Sequence, residues 1–287
     1  MKPILKWPGG KASLLPYIKK YINPETLYGH VLYEPFIGGG ALAFDLGYKY
    51  TVINDINHEL INLYQVVRDY PETLIRELRL HQENHINPEF EKGEWYYEVR
   101  AWDREPNFWN RPAAEIAART VYLNKTCFNG IFRVNSKGYF NTPIGRTTTG
   151  KCPDIVQETE IRELSKFLKG VKIREGDYAY AIRDLEPGDW VYLDPPYDPG
   201  EEIHTPGFVG YSKEGWTRHD LLRLRAVADE AVRKGAKVII SNNDTEFVRE
   251  AFCEWTWESI DVARSINSKG SGRKGKELLI FSHNINR

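Results

Sequence analysis

Short, nearly unbroken apolar runs punctuate the chain at Val31–Phe36 (VLYEPF), Tyr50–Asp55 (YTVIND), Trp190–Asp194 (WVYLD) and Lys237–Ser241 (KVIIS). Runs of this length suit strands buried on both faces of a sheet. ELLIFSH, Glu277–His283, predicts a last strand. Stretches with helical spacing lie between them. ALAFDLG follows Gly38-Gly39-Gly40 and reads as a helix. Before KVIIS, Thr217 and Asp220 are spaced as a capping box, and Gly235 reads as the stop at the helix's far end. Strands alternating with helices predict an α/β fold, with a mainly parallel sheet and helices on both faces.

The middle of the chain departs from this rhythm. From residue 58 to about 112 the pattern is polar, aromatic and helical, clearest in HELINLYQVV and ETLIRELRLHQ. AAEIAARTVYLNK is an amphipathic helix opening after Pro112, and IFRVN-SKG-YFNTP reads as a β-hairpin with Gly138 in its turn. The expected division is a catalytic domain in two parts, 1–57 and 148–287, with an insert at 58–147. Ser265–Lys276, SINSKGSGRKGK, is rich in Gly, Ser and Lys and is predicted to be mobile.

Hydrophobic residues make up 41% of 287, enough for a globular core. No apolar run reaches the roughly 18 residues of a membrane span. MKPILKWPGGK lacks the apolar stretch of a signal peptide, so none is expected. Cys127, Cys152 and Cys253 form neither a CxxC pair nor a disulfide framework, which predicts a reducing, cytoplasmic setting. The histidines contain no HExxH, and a metal site is not expected; His81 and His85 read as a solvated pair. No Pro-Cys dipeptide suggests a covalent cysteine mechanism.

A net charge of −1 argues by itself against a nucleic-acid binder, but the charges are unevenly distributed. Ile116–Pro153 holds no acid, yet carries Arg119, Lys125, Arg133, Lys137, Arg146 and Lys151. Ala263–Lys276 is acid-free as well, with Arg264, Lys269, Arg273, Lys274 and Lys276. Such blocks suggest a phosphate-facing surface; two solvated loops are the competing reading.

Three segments carry candidate chemistry. EPFIGGGAL is a strand, a glycine turn and a helix start, the corner where α/β folds bind nucleotides. It is neither GxGxxG nor a P-loop. Asp55, ending the next strand, is placed to meet ribose hydroxyls; a tight turn followed by a capping aspartate fits the same residues. In VYLDPPYDP two prolines end a strand and fix a rigid loop at its carboxyl end, where α/β ligands bind. Asp194 and the carbonyls of Pro195 and Pro196 are acceptors, and Tyr197 adds an aromatic face. That set suits a flat base with an exocyclic amine: acceptors on both N–H groups free the nitrogen lone pair, and catalysis rests on positioning and electrostatics. In LKWPGGK, Trp7 offers a stacking face, Lys11 a cation, and Gly9 and Gly10 close approach.

In order and content, LKWPGGK, EPFIGGGAL, an insert and then DPPY resemble the α-class, Dam-like DNA adenine-N6 methyltransferases. The resemblance extends to LNKTCFNGIFRVNSKGYFNTPIGR, VIISNND and RSINSKGSGRKGKELLIF, and so covers nearly the whole chain. It is strongest toward members that methylate adenine in GATC. It implies a Rossmann-like methyltransferase sheet with an inserted helical and β-hairpin recognition domain, S-adenosylmethionine as cofactor and double-stranded DNA as partner. By resemblance, Trp7, Gly9, Gly10, Lys11, Glu34, Pro35, Phe36, Gly38, Gly39, Gly40, Asp55, Asp177 and Asp194 line the cofactor site. Asp194 also faces the target amine, and Tyr197 stacks on a flipped adenine. Lys6, Lys125, Phe128, Asn129, Ile131, Arg133, Pro143 and Arg146 face DNA, with Phe128 wedging into the base stack and Arg133 reading a guanine, and Arg119 of the acid-free block is expected to face DNA with them. Lys125 stands where some members have Arg, and a lysine cannot form the same planar fork. The alternatives are a restriction–modification methyltransferase of another short target, partnered in function by an endonuclease, and a cytosine-N4 enzyme, which more often has Ser at the position of Asp194. One subunit holds every part, so a monomer is expected.

Overall fold

The computed structural model describes residues 1–7, 11–91, 93–145, 153–198, 216–263 and 274–283. Its elements run α1 (Leu15–Ile18), β1 (Leu32–Glu34), α2 (Ala41–Leu46), β2 (Thr51–Asp55), α3 (His58–Asp69), α4 (Pro71–Ile86), α5 (Glu94–Ala101) and α6 (Ala113–Thr126). They continue with α7 (Glu158–Leu168), β3 (Lys172–Glu175), α8 (Tyr178–Ala181), β4 (Trp190–Leu193), α9 (Arg218–Arg233), β5 (Lys237–Asn243), α10 (Glu246–Ala251), β6 (Thr256–Ala263) and β7 (Lys274–Phe281). The seven strands form one sheet in the order β3-β2-β1-β4-β5-β7-β6. The first five are mutually parallel, and β7 is antiparallel to both β5 and β6. This is a Rossmann-like α/β arrangement. Strand order reverses between β1 and β4, and the carboxyl ends of strands at such a switch point form the ligand crevice of open α/β sheets.

The four apolar runs become β1, β2, β4 and β5, as expected. Alternate residues of the strands feed opposite layers. Val191, Leu193, Val238 and Ile240 pack against Leu221, Leu224 and Ala228 of α9. Trp190, Tyr192, Ile239 and Leu279 pack on the other face with Ile18 of α1 and Leu42 of α2. The capping box on α9 forms as its spacing predicts, with Thr217 and Asp220 bonding reciprocally. At the start of α3, Asn57 accepts from the Leu60 N–H. ELLIFSH extends N-terminally into β7, so Lys274–Lys276, within the segment expected to be mobile, are strand residues; the rest of that segment, from 265 to 273, lies outside the described residues.

One hydrophobic cluster runs from Ile53 of β2 through α3, α4, α6 and α7 to Phe132, Val134 and Phe140 of the hairpin region. Packing therefore crosses residue 58 without a break, and α3 belongs to both the sheet layer and the helical layer. The hairpin closes through the isolated bridge Val134–Phe140 and the turn bond from the Gly138 N–H to the Asn135 carbonyl. His81 corrects the expectation of a solvated pair. It is buried, stacked on Tyr122 at 4.8 Å and flanked by Trp95 and Trp102. Burial pushes its imidazole down to about 4, so it is neutral at physiological pH.

Candidate active site

Asp194 follows β4 directly, beside the crevice between β1 and β4. Its Oδ1 receives Lys11 Nζ at 3.0 Å and the Ser241 hydroxyl at 2.7 Å. Its Oδ2 has no partner among the described residues, and the side chain keeps 21% of its surface accessible. Burial pushes the carboxyl up, opposed by Lys11 and Ser241. Lys11 also lies over the Tyr197 ring, 4.5 Å from its centroid. The Tyr197 hydroxyl donates to Glu277 Oε2 on β7 at 2.8 Å. Asp198 then ties the end of the DPPY loop to β5. Its N–H donates to Asn242, its carbonyl accepts from Asn243, and its carboxylate takes Thr245 and Arg218. Pro195 and Pro196 are thus held between a strand and an anchored aspartate.

The glycine corner is built as much for packing as for access. Trp7 lies against it, so that a side chain on Gly38 would strike the indole at 2.9 Å and one on Gly39 would strike the Trp7 Cβ at 2.7 Å. Gly40 starts α2 in a left-handed conformation, φ 73°, that disfavours other residues. Trp7 is in turn stacked on Phe132 at 5.4 Å. It therefore joins the corner to the hairpin region rather than presenting an open ring. Gly9 and Gly10 lie outside the described residues.

Asp55 ends β2 half-buried, with one oxygen accepting from the Gly38 N–H and the other from the Asn57 N–H. The Ile56 N–H also bonds this carboxylate, which keeps acceptor capacity for a further donor, and burial pushes the carboxyl up to about 6. Beside it Ile56 is 64% exposed, an apolar side chain at a strand end that the sequence reading missed. The Pro35 carbonyl accepts from Asn54. Phe36 contacts Tyr178 at 5.1 Å and Trp216 at 6.0 Å, and the buried Trp216 indole N–H has no partner among the described residues. Asp177 caps α8 nearby, but both its oxygens are held by Arg223, which lowers its carboxyl; any ligand there shares it with that guanidinium.

Glu34 ends β1. It is 3% exposed, and its Oε2 accepts from the Ala43 N–H in the first turn of α2. Burial pushes its carboxyl up to about 8, with the Ala43 bond opposing and Asp194 adding. The folded chain thus holds this proton more tightly than the unfolded chain does. Stability is then greatest below about 4.5 and falls as pH rises through about 8. Asp55 adds a loss in the same direction up to about 6. Glu34→Gln keeps an acceptor for Ala43 and is expected to flatten the decline of melting temperature between pH 6 and 8. An unchanged slope would assign that decline to other groups.

On the recognition side, Phe128 is 46% exposed, and its N–H is fixed to the Pro143 carbonyl at 2.9 Å. Asn129 is exposed and is the one non-glycine residue with positive φ, 56°, among the described residues. Ile131 is half-buried. Asn124, which the sequence reading also missed, bonds Lys6 through both N–H and carbonyl and reaches the Gly130 carbonyl, seating exposed Lys6 beside Phe128 and Asn129. Arg133 gives Nε to Asn141 at 2.8 Å and leaves its two terminal nitrogens without partners among the described residues. Lys125 is half-buried against Gln157, and burial pushes its ammonium down to about 8. Arg146 lies outside the described residues. Arg119 corrects the DNA-facing expectation. It is fully buried and paired with Glu59 at 2.7 Å and Asp103 at 2.9 Å, so no phosphate can reach it in this fold.

Residues 7–266 match the family model described as D12 class N6 adenine-specific DNA methyltransferase. The chain is 39% identical over 286 residues to a type II methyltransferase of Lactococcus lactis subsp. cremoris, covering 99% of this chain and 96% of that one. Identity is 36% over 293 residues to a type II methyltransferase of Methanocaldococcus jannaschii, with 99% of both chains covered. It is 31% over 279 residues to the DNA adenine methylase of Escherichia coli, covering 97% of this chain and 94% of that one. The match runs through the glycine corner, the recognition segment and the DPPY loop, and the chain belongs to the D12 class of N6 adenine-specific DNA methyltransferases.

Proposed function

We propose that this adenine-N6 DNA methyltransferase uses S-adenosylmethionine and acts on an adenine flipped out of double-stranded DNA, within GATC. The Asp194 carboxylate carries the reading: Lys11 and Ser241 occupy Oδ1, Oδ2 has no partner among the described residues, and Lys11 links the carboxylate to the Tyr197 ring. The amine nitrogen of adenine is a poor nucleophile because its lone pair is delocalised into the ring. Oδ2 and a carbonyl of the Pro195-Pro196 loop accept from its two N–H bonds and localise that pair. Tyr197 supplies a face for the base. S-adenosylmethionine, when bound, supplies an electrophilic sulfonium methyl group. Asp55 has acceptor capacity for ribose hydroxyls, Ile56 and Phe36 offer apolar surface, and the buried Trp216 N–H has no partner among the described residues; these residues fit a nucleoside-bearing cofactor. Trp7, Lys11 and Gly38–Gly40 border the same crevice.

A base within a duplex cannot reach this crevice unless it leaves the stack, at a cost of a few kcal/mol. The exposed Phe128 is placed to fill the gap it leaves. Arg133, anchored through Nε, has two nitrogens for the O6 and N7 of a guanine. Arg133→Ala is expected to cost about 1–3 kcal/mol of discrimination at one base pair, with a smaller loss on unrelated sequences. Competition binding against single-base variants checks this, and a uniform loss would make Arg133 a phosphate contact.

The type II relatives support pairing in function with an endonuclease of the same target, and the Escherichia coli relative supports a stand-alone methylase. A single chain bearing the crevice, the acceptor and the hairpin supports action as a monomer. Mapping N6-methyladenine in DNA from an expressing host tests the target. GATC modified on both strands is the expected result, and modification confined to another sequence overturns the assignment.

A further inference from the structure

We propose that Ser241 and Glu277, on neighbouring strands outside the DPPY segment, are positioning residues that aim its two working groups, the Asp194 carboxylate and the Tyr197 ring. The proposal rests on the reading that Asp194 and Tyr197 receive the target base.

Ser241 is fully buried and has one proton. Asp194 Oδ1, 2.7 Å away, can only accept as a carboxylate, so the serine proton goes there. Tyr192, also buried and 3.0 Å from Ser241 Oγ, must then be the donor to the serine. The result is a directed chain, Tyr192 to Ser241 to Asp194. Tyr192 and Asp194 are two residues apart along β4 and its end, on one face of the sheet, and Ser241 comes up beside them from β5. With Lys11 on the same oxygen, Oδ1 has two donors and cannot rotate into the crevice. The acceptor left to the substrate is Oδ2, in one orientation.

The ring of Tyr197 is fixed at both ends in a similar way. Its backbone is held between Pro196 and the anchored Asp198, and its hydroxyl donates to Glu277 at 2.8 Å. Glu277 lies opposite Asn243 in the β5–β7 register. The antiparallel strand β7 therefore reaches the reaction centre through this carboxylate. Misplacement by about 1 Å at a reacting centre can cost on the order of 10²-fold in rate, so anchors of this kind act on turnover more than on affinity.

The test uses the purified full chain with unmethylated genomic DNA. Ser241→Ala is expected to lower kcat by about 10- to 100-fold with little change in KM for DNA, and Tyr192→Phe to lower it less. Asp194 is faced by Lys11, Glu34, Tyr192 and Tyr197, and Ser241 favours its ionised form. Ser241→Ala is therefore also expected to move the acid limb of the kcat profile to higher pH, a shift that a loss of packing alone does not produce. Repeating the profile in a Glu34→Gln background separates the titration of that neighbour. For Glu277, a double-mutant cycle with Tyr197→Phe is decisive: Glu277→Ala should slow wild type but have no further effect once the hydroxyl is gone. Melting temperatures identify a variant that fails to fold, and the Glu277 cycle then still decides. Unchanged kcat and acid limb in Ser241→Ala, or additive effects in the cycle, overturn the proposal. If Asp194→Asn remains active, the underlying reading fails instead; if Asp194→Asn is inactive while Ser241→Ala is unaffected, only the positioning proposal fails.

Discussion

Asp194→Ala is expected to lower methyl transfer by on the order of 10³-fold or more, with DNA affinity nearly unchanged and a lower melting temperature, because buried Lys11 loses its ion-pair partner. The magnitude follows from where the acceptor acts. A fixed acceptor aimed at an amine gaining positive charge stabilises the transition state without reorganising, and removal of one such group elsewhere costs about 10²–10³-fold. Here the same group also localises the nucleophile's lone pair. Asp194→Asn is the sharper variant, since it preserves shape. Lys11 and the Ser241 hydroxyl both donate to Oδ1, so they orient the amide oxygen toward themselves. That turns the amide NH₂ to the Oδ2 position, where it faces the target amine donor to donor. Asn is thus expected to be as inactive as Ala. In the wild-type enzyme, burial raises the Asp194 carboxyl, so turnover should fall as pH drops through that raised value, because the protonated form loses its acceptor. Transfer of label to DNA, with binding measured separately, checks each point. Substantial transfer by both variants would remove Asp194 from the mechanism.

How much of this was legible in the sequence depended on the distance over which each feature is determined. β1, β2, β4 and β5 are local apolar runs and were readable as strands. β3, KIRE, was not: it is an edge strand with one buried residue, and its charged ends resemble a loop. β6, TWESIDVA, lies at the other edge and carries too little apolar surface to stand out. The antiparallel direction of β7 leaves no trace in a run of apolar residues. In the site, the DPPY loop and the glycine corner are contiguous and could be found. Ser241, Glu277 and Asn124 could not, because each acts on a residue far away in the chain, Asp194, Tyr197 and Lys6 respectively. VIISNND and RSINSKGSGRKGKELLIF resemble family segments, but a segment does not say which of its side chains reaches Asp194 or Tyr197. The glycines were correctly placed at the corner, although their small size serves Trp7 and Phe44 as much as any ligand. Arg119 was misread because absence of acids along the sequence is no measure of acids nearby in space.

Arg119→Ala is accordingly expected to destabilise the fold by about 3–5 kcal/mol, the cost of breaking a buried ion pair from one side. The guanidinium is fully enclosed. It gives Nε to the Val99 carbonyl, Nη1 to Glu59, and Nη2 to Asp103 and the Arg100 carbonyl, and it lies over the Phe108 ring. Its partners come from α3, α5 and the turn at Trp102–Arg104, so one side chain of α6 joins three neighbouring elements. Removing it strands two carboxylates whose side chains are only 12% and 6% exposed. Asp103 also accepts from the Phe140 N–H, which extends the damage to the base of the hairpin bearing Arg133. DNA recognition should therefore weaken as well, but as a consequence of lost order. Salt titration separates the two causes. Loss of a phosphate contact lowers the slope of log K against log salt by about 1 at unchanged melting temperature. Loss of Arg119 should lower the melting temperature first and leave that slope intact wherever the protein remains folded. Arg119→Lys restores one charge without the fork and is expected to recover only part of the stability, since a single ammonium cannot serve Glu59, Asp103 and two carbonyls at once. A stable Arg119→Ala protein with a reduced salt slope would return this arginine to the DNA surface and would require α6 to present a different face.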